Sequence, residues 1–221
     1  MRVIASSFIA VAGIAVVAAV PCAHAGLVNP LIPTWAGQAN TQSASWDTFT
    51  QASGGANLPD AGGSPFSLMN FGPASFITGS GNIYSITAPL YIMIMGGTLG
   101  NGQTPLQVVM NVATVGTPIA PASVKLTMWD ATGAQYVVAP NASEVRSDVP
   151  APQGGSIQTI AYTWNTAAAP ITASGFRFEF LASGPSMSLD AVRLDLQYVP
   201  APGAMALLGM AAFIARRQRR A

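Results

Sequence analysis

The stretch Phe176-Arg177-Phe178-Glu179-Phe180 alternates aromatic and charged side chains without interruption. Successive side chains of a β-strand point to opposite faces of the sheet, so this pattern predicts a strand with one buried and one solvated face. The segments 124–129 and 160–164 alternate in the same way. These segments together favour antiparallel sheets in which one face packs on a core.

The chain around this stretch consists of short apolar runs separated by turn residues. We therefore predict an all-β fold, an antiparallel two-sheet β-sandwich spanning residues 66–198. Residues 26–65 lack a sustained period and are interpreted as an extended arm with loops that packs on the sandwich. Residues 79–82 suit a hairpin turn, and residues 141–152 form a polar loop.

The last predicted strand, residues 187–198, changes its apolar phase partway along. Apolar side chains fall at Met187 and Leu189, and then at Val192 and Leu194. A one-residue shift turns every later side chain to the other face. We therefore expect a β-bulge near Asp190-Ala191, or burial of both faces there.

Residues 1–25 have the three parts of a secretory signal peptide. Arg2 supplies the positive start, residues 3–20 are apolar, and Ala23 and Ala25 occupy the positions of a small-x-small cleavage site. This predicts a signal helix that directs export through the Sec machinery and is removed before Gly26. A retained membrane anchor is the alternative, because the apolar run is long for a signal core.

Residues 199–221 form a second addressing segment. An apolar run over 204–215 would extend about 18 Å as a helix, which is short of a hydrocarbon core of about 30 Å. It lies between a Pro-rich motif and a basic cluster, which would remain on the cytoplasmic side. The motif residues are Val199, Pro200, Ala201, Pro202 and Gly203; the basic residues are Arg216, Arg217, Arg219 and Arg220.

This motif, short apolar helix and arginine cluster resemble the PEP-CTERM sorting signal of Gram-negative bacteria that produce exopolysaccharide. In that family the motif is Val-Pro-Glu-Pro, so Ala201 stands where the glutamate is expected. The resemblance implies an exosortase-like processing enzyme as partner, a transient inner-membrane intermediate, and a final location at the cell surface or in the extracellular matrix.

A second resemblance lies in the last strand. The sequence Met187-Ser188-Leu189-Asp190-Ala191-Val192-Arg193-Leu194 resembles the closing strand of jelly-roll domains similar to carbohydrate-binding modules. It implies a jelly-roll form of the sandwich, and it raises the expectation of a polysaccharide ligand. Fold likeness alone does not license a function.

Composition excludes several kinds of site. The only cysteine, Cys22, and the only histidine, His24, both precede the predicted cleavage site. The mature chain would therefore have no disulfide, no thiol or histidine catalyst and no Cys/His zinc site. Residues 26–198 contain four basic and eight acidic residues, a formal net charge of −4, which argues against nucleic-acid binding.

Four aromatic residues are candidates for a platform that stacks on sugar rings: Trp129, Tyr136, Tyr162 and Trp164. The alternative is that these rings fill the core, as large aromatic side chains usually do. Trp129 is the strongest candidate, because it shares a face with Lys125 and Thr127.

The carboxylates suggest two further kinds of site. A glycosidase needs two carboxyl groups across a cleft, and Glu144, Asp148, Glu179 or Asp190 could supply them only through folding. We expect instead that these groups are solvated or paired with arginines. Asp47 and Asp190, with Asp60, are weak candidates for a structural calcium site, and no other cofactor is expected.

We therefore expect a non-catalytic, exported protein of the cell envelope or matrix that associates with exopolysaccharide. The alternatives are a polysaccharide hydrolase that uses only Asp and Glu, and a calcium-stabilised adhesin.

Overall fold

The alternating stretch at 176–180 lies in the middle of one of two antiparallel sheets. The computed structural model describes residues 26–62, 66–96, 105–152, 154–169 and 173–198. The predicted signal helix and the predicted C-terminal helix lie outside these ranges. Within them, the one helical segment is a single 3-10 turn at Pro121–Ser123, and no helix is long and apolar enough to span a membrane.

Thirteen strands are found in the described ranges. In chain order they are β1 (Thr41–Trp46), β2 (Ala61–Gly62), β3 (Phe66–Asn70), β4 (Ser75–Ile77), β5 (Ile83–Ser85), β6 (Tyr91–Gly96), β7 (Pro105–Gly116), β8 (Lys125–Trp129), β9 (Gln135–Val138), β10 (Ala142–Pro150), β11 (Ser156–Asn165), β12 (Gly175–Leu181) and β13 (Met187–Tyr198). The prediction of an all-β, two-sheet antiparallel protein is confirmed.

The strands form two sheets. Sheet A has the order β10-β11-β7-β13-β1-β2, and β5, paired with β4, continues beside the start of β13. Sheet B has the order β3-β6-β12-β8-β9. The chain changes sheet at β2 to β3, β3 to β4, β5 to β6, β6 to β7, β7 to β8, β9 to β10, β11 to β12 and β12 to β13.

The core lies between the inward faces of the two sheets. Phe176, Phe178 and Phe180 of β12 face it from sheet B, and Trp164 of β11 meets Phe178 with ring centroids 5.4 Å apart. Burying an aromatic or large aliphatic side chain stabilises a fold by about 1.5–3 kcal/mol. The alternating sequence therefore sets which face of each strand packs inward.

The predicted bulge in the last strand is confirmed. The pairing of β13 with β7 shifts register between Leu189 and Ala191, so that Asp190 is the extra residue. Leu189 before the shift and Val192 after it both reach the core. The bulge is what allows one strand with two apolar phases to keep facing the same interior.

Three local predictions were wrong. Residues 142–150, predicted as loop, form the edge strand β10, which pairs with β11 and shifts register around Arg146. Residues 41–46 fall in the predicted arm, where a short strand or turn was expected only around 45–49; they form β1, which pairs with β13 along its whole length. The run 90–95 is nearly all apolar, a pattern that predicts a strand buried on both faces, but its strand β6 alternates between buried and half-buried residues.

The N-terminal arm, residues 26–40, runs over the outer face of sheet A. The backbone N–H of Val28 donates to Thr159 Oγ1 of β11 at 3.0 Å. Leu31 makes two hydrogen bonds with the side chain of Asn111 on β7, at 2.7 and 3.0 Å. Because the arm covers these positions, the outward residues of central β7 are buried as well as the inward ones.

Candidate functional site

Sheet B presents its outer face to solvent. This face carries the residues of each strand that alternate with the core residues. They are Ser67 and Met69 of β3; Tyr91, Met93 and Met95 of β6; Gly175, Arg177 and Glu179 of β12; Lys125, Thr127 and Trp129 of β8; and Gln135 and Val137 of β9. Most of them are partly exposed, in contrast to the arm-covered outer face of sheet A.

Trp129 lies at the end of this face where β8 pairs with the start of β12. Its cross-strand neighbour is Gly175, and a Cβ atom added there would come 2.5 Å from the indole ring. The ring therefore lies directly against the backbone of β12, which only a residue without a side chain permits. Trp129 remains partly exposed, as the alternation in 124–129 predicted.

The hairpin that follows Trp129 is fixed by Asp130. Its carboxylate accepts hydrogen bonds from the Thr132 backbone at 2.8 Å, the Thr132 hydroxyl at 2.6 Å and the Ala134 backbone at 3.0 Å. Hydrogen bonding from Thr132 and the neighbouring backbone holds the pKa of Asp130 below its ordinary value. Gly133 completes the turn with a φ of 85°, where a side chain would be strained.

A charged cluster occupies the centre of the face around Glu179. Its carboxylate lies 3.2 Å from Arg177 Nε and 3.5 Å from Lys125 Nζ. The Tyr91 hydroxyl donates to Glu179 Oε1, and the Thr127 hydroxyl donates to Oε2 at 3.4 Å. The Glu179 side chain is only 1% exposed, whereas those of Lys125 and Arg177 are 43% and 33% exposed.

The electrostatics of this cluster keep Glu179 ionised. Burial by itself would raise the pKa of Glu179, but the hydrogen bond from Tyr91 and the charges of Arg177 and Lys125 outweigh it, so that the pKa is lowered. Burial, together with the hydrogen bond to the Glu179 carboxylate, raises the pKa of Tyr91. Near neutral pH the cluster therefore holds a carboxylate, two cations and a neutral phenol.

The structure corrects the predicted set of four platform residues. Tyr162 and Trp164 are each 2% exposed and pack in the core, where burial raises the pKa of Tyr162 to about 12. Tyr136 pairs with the inward-facing Met128 and packs against the core from the edge strand β9. Trp129 alone among the four lies on the outer face of sheet B.

The candidate carboxylates are not brought together into one cleft. Glu144 and Asp148 lie on edge strand β10 of sheet A, where Glu144 pairs with Arg146 and Asp148 accepts a hydrogen bond from Gln158 at 2.9 Å. Glu179 lies on the outer face of the other sheet. Asp190 lies in the bulge of β13 and accepts hydrogen bonds from Asn82 and Ser188, both at 2.7 Å.

The two weak calcium candidates do share a surface. Asp47 and Asp190 line a groove of about 530 Å³, together with Gly26 of the arm and Arg193. Asp60, the third carboxylate considered, accepts hydrogen bonds from the backbone of Asp47 and Thr48. No group of three or more acidic, His or Cys side chains suited to a metal ion is found in the described ranges.

Sequence reasoning missed the cluster around Glu179 as a unit. The alternation in 176–180 and in 124–129 placed Arg177, Glu179, Lys125 and Thr127 on polar faces. What it could not supply was the pairing of β12 with β8, which sets Glu179 opposite Lys125. Tyr91 carried no signal of its role, because its strand looked apolar throughout.

Comparisons with known proteins give no match to a protein-family model and no match among curated proteins.

Proposed function

We propose that this protein is an exported, non-catalytic β-sandwich that binds polysaccharide through the outer face of sheet B. Its place would be the cell envelope or extracellular matrix of a Gram-negative-type bacterium. One observation carries the proposal: an indole ring set on a glycine, beside a charged cluster, on the sheet face that the arm leaves open.

The chemistry of that face suits a sugar polymer. The apolar faces of a pyranose ring pack on indole, and the polar edges of the ring seek hydrogen bonds from neighbouring side chains. Trp129 supplies the aromatic surface, while the partly exposed Arg177 and Lys125 supply polar groups along the same two strands. A sheet face is also long enough to follow several units of a chain.

The strand order supports the finer description of the sandwich as a jelly roll. Such folds have eight strands in two sheets built from two Greek keys. The orders β1-β13-β7-β11 and β6-β12-β8-β9, with repeated changes of sheet, suit that topology. The strands β2, β3, β4, β5 and β10 would then be additions at its edges.

The route to the envelope is proposed from the two ends of the sequence. Residues 1–25 would direct Sec-dependent export, and residues 199–221 would hold the chain at the inner membrane until an exosortase-like enzyme acts. Their resemblance to the PEP-CTERM signal supports a matrix rich in exopolysaccharide as the final surroundings.

Binding is tested by affinity electrophoresis of the native protein in gels that contain one polysaccharide each. We expect retardation in at least one gel and no release of reducing ends. Trp129→Ala should weaken binding roughly ten- to a hundredfold, as for an aromatic anchor at an interface. Gly175→Ala should weaken it as well, because the added methyl must displace the indole.

The matched control is Phe76→Ala. Phe76 is an exposed aromatic residue on β4, at the other sheet, where its ring packs edge-on against Tyr84 at 5.5 Å. This variant should bind as the unchanged protein does. Equal loss in the Phe76 and Trp129 variants would show that the outer face of sheet B is not the binding surface.

The two alternatives predict different experimental results. A hydrolase would release reducing ends, and that release would disappear in Glu144→Gln or Glu179→Gln. A calcium-stabilised adhesin would show a lower melting temperature in the presence of a chelator. We expect neither result, since Glu179 is occupied by its neighbours and an arginine lines the groove at Asp47 and Asp190.

A further inference from the structure

The outer face of sheet B has more positive than negative charge, although residues 26–198 together have a formal net charge of −4. Residues 26–198 contain four basic residues. Arg146 pairs with Glu144, and Arg193 pairs with Asp195 through two hydrogen bonds at 2.8 and 2.9 Å. Lys125 and Arg177 instead share a single carboxylate, that of Glu179.

The shared carboxylate of Glu179 is buried, whereas the two cations that contact it are partly exposed. Glu179 is almost completely buried beneath its neighbours, and Tyr91 and Thr127 hold its two oxygens. The two cations are far more exposed than the carboxylate between them. Glu179 can neutralise one positive charge, so Lys125, Arg177 and Glu179 together have a formal net charge of +1, and the two cations are the more exposed members.

Trp129 is close enough to act together with these cations. Trp129, Thr127 and Lys125 follow one another on the same face of β8, and Arg177 is the cross-strand partner of Thr127. Two residues along a strand span about 6.6 Å. The Trp129 ring and the Arg177 position are therefore about one sugar unit apart. Lys125 lies two residues further along β8.

We propose that the ligand of this face is an acidic polysaccharide, a polymer of uronate sugars. A pyranose ring packs on Trp129, and a carboxylate of the polymer pairs with Arg177 and Lys125. Arginine suits this role because its planar guanidinium can donate two parallel hydrogen bonds to a carboxylate. This inference rests on the proposed polysaccharide binding and names the class of polymer.

The experiment compares two polymers that differ only in charge. Native protein is run in affinity gels containing polygalacturonate or the same polymer after chemical reduction of its carboxyl groups. We expect stronger retardation by polygalacturonate and a loss of that difference at high salt, since exposed ion pairs are screened. Equal retardation by both polymers would overturn the inference.

Two variants assign the effect to the two cations. Arg177→Gln and Lys125→Gln should each weaken binding to polygalacturonate roughly three- to tenfold, the range of one charge-assisted contact at a partly exposed site. Binding to the reduced polymer should be unchanged. Lys125→Gln is the safer variant for folding, because it leaves the closer Arg177–Glu179 pair intact.

Arg146→Gln is the matched control, since it removes an equal charge from edge strand β10 of the other sheet. It should leave binding to both polymers unchanged. Equal weakening by Arg146→Gln would mean that overall charge drives binding, which would overturn the inference. If the unchanged protein bound both polymers equally and Trp129→Ala lost binding to both, the proposed function would stand and only the acidic ligand would be ruled out. Absence of binding to any polysaccharide would remove both.

Discussion

Glu179 shows at the scale of single residues how a buried charge is maintained on an outward-facing strand position. The alternation of β12 points this side chain away from the core, yet its carboxylate is shielded by Tyr91, Thr127 and the two cations. Burial of an isolated carboxylate is costly unless it is paired and hydrogen-bonded. Here both conditions are met, so the acid acts as the fixed centre of the cluster.

The lowered pKa of Glu179 predicts an acid-dependent loss of stability. A carboxyl group whose folded pKa lies below its unfolded value, near 4.5, stabilises the protein above that value. This stabilisation is lost as the pH falls through the folded pKa. Glu179→Gln should therefore lower the free energy of unfolding by about 1–3 kcal/mol at pH 7 and by much less at pH 3. Urea denaturation at both pH values measures the difference.

Asp148→Asn provides the comparison, because Asp148 is exposed and accepts a single side-chain hydrogen bond from Gln158. Its effect should be small at both pH values. A Glu179→Gln variant that loses the same free energy at pH 3 as at pH 7 would contradict a stabilising role for the ionised carboxylate.

The individual aromatic residues show how much of the site could be predicted from the sequence. Period-two alternation correctly placed Trp129 on the outward face, because Lys125 and Thr127 marked that face as polar. Tyr162 and Trp164 also alternate, but their neighbours Ala161 and Thr163 are small, and nothing in them reveals which face is inward. In the structure the arm contacts the opposite face of β11, where the backbone N–H of Val28 donates to Thr159.

The arm is the feature that matters most at the scale of whole elements. It converts β7 from a strand with one solvated face into one that is buried on both faces. Asn111, fully buried on β7, receives the arm by bonding both backbone groups of Leu31. The buried amide thereby supplies hydrogen-bond partners to the backbone of Leu31, which crosses the face of the sheet and is not part of a strand.

Asn111→Ala should release the arm. Loss of both hydrogen bonds leaves the N–H and C=O of Leu31 without these partners, with an expected cost of about 1–3 kcal/mol. Amide hydrogen exchange of residues 26–40 should accelerate well before that of β7 or β13, because local opening then costs less than global unfolding.

Asn165→Ala is a suitable comparison, since Asn165 is exposed and its side chain accepts a hydrogen bond from the nearby Ala167 backbone at 3.0 Å. Exchange in the arm should be unaffected by it. If Asn111→Ala changed exchange throughout the sheet but left the arm unaltered, the amide would serve the sheet and not the arm.

Elements were predictable from sequence where a strand has one polar and one apolar face, or where its phase changes abruptly. The bulge at Asp190 belongs to the second kind, since two apolar phases in one strand have few other solutions. β10 could not be predicted, because an exposed edge strand carries polar residues on both sides and so resembles a loop. β1 was hidden because Thr41–Ala44 are small or polar residues, and only its pairing with β13 defines it.

At the scale of the whole molecule, the two outer faces differ in what covers them. One carries the arm, and the other carries the aromatic and charged groups. The arm begins at Gly26, the residue at which the predicted signal cleavage would create a new N-terminus. Gly26 lines the groove that also contains Asp47, Asp190 and Arg193, so the new ammonium group would lie near two carboxylates and one guanidinium.

Mass spectrometry of the native protein recovered from its host tests this arrangement. We expect a polypeptide that begins at Gly26 and has lost residues at its C-terminal end, beyond the motif at 199–203. A protein recovered with both Met1 and Ala221 would contradict export and sorting together. A protein that begins at Gly26 but retains Ala221 would contradict only processing of the C-terminal segment.

The position of β13 has a mechanical consequence. β13 is hydrogen-bonded to β7 on one side and to β1 and β5 on the other, and it ends at Tyr198, immediately before the predicted sorting motif. Tension applied through the C-terminal segment therefore pulls along the axis of an interior strand and strains many cross-strand bonds at once, instead of opening them one after another. Forced unfolding is governed by the unfolding rate, so a molecule tethered at this end should withstand drag that would peel away an edge strand.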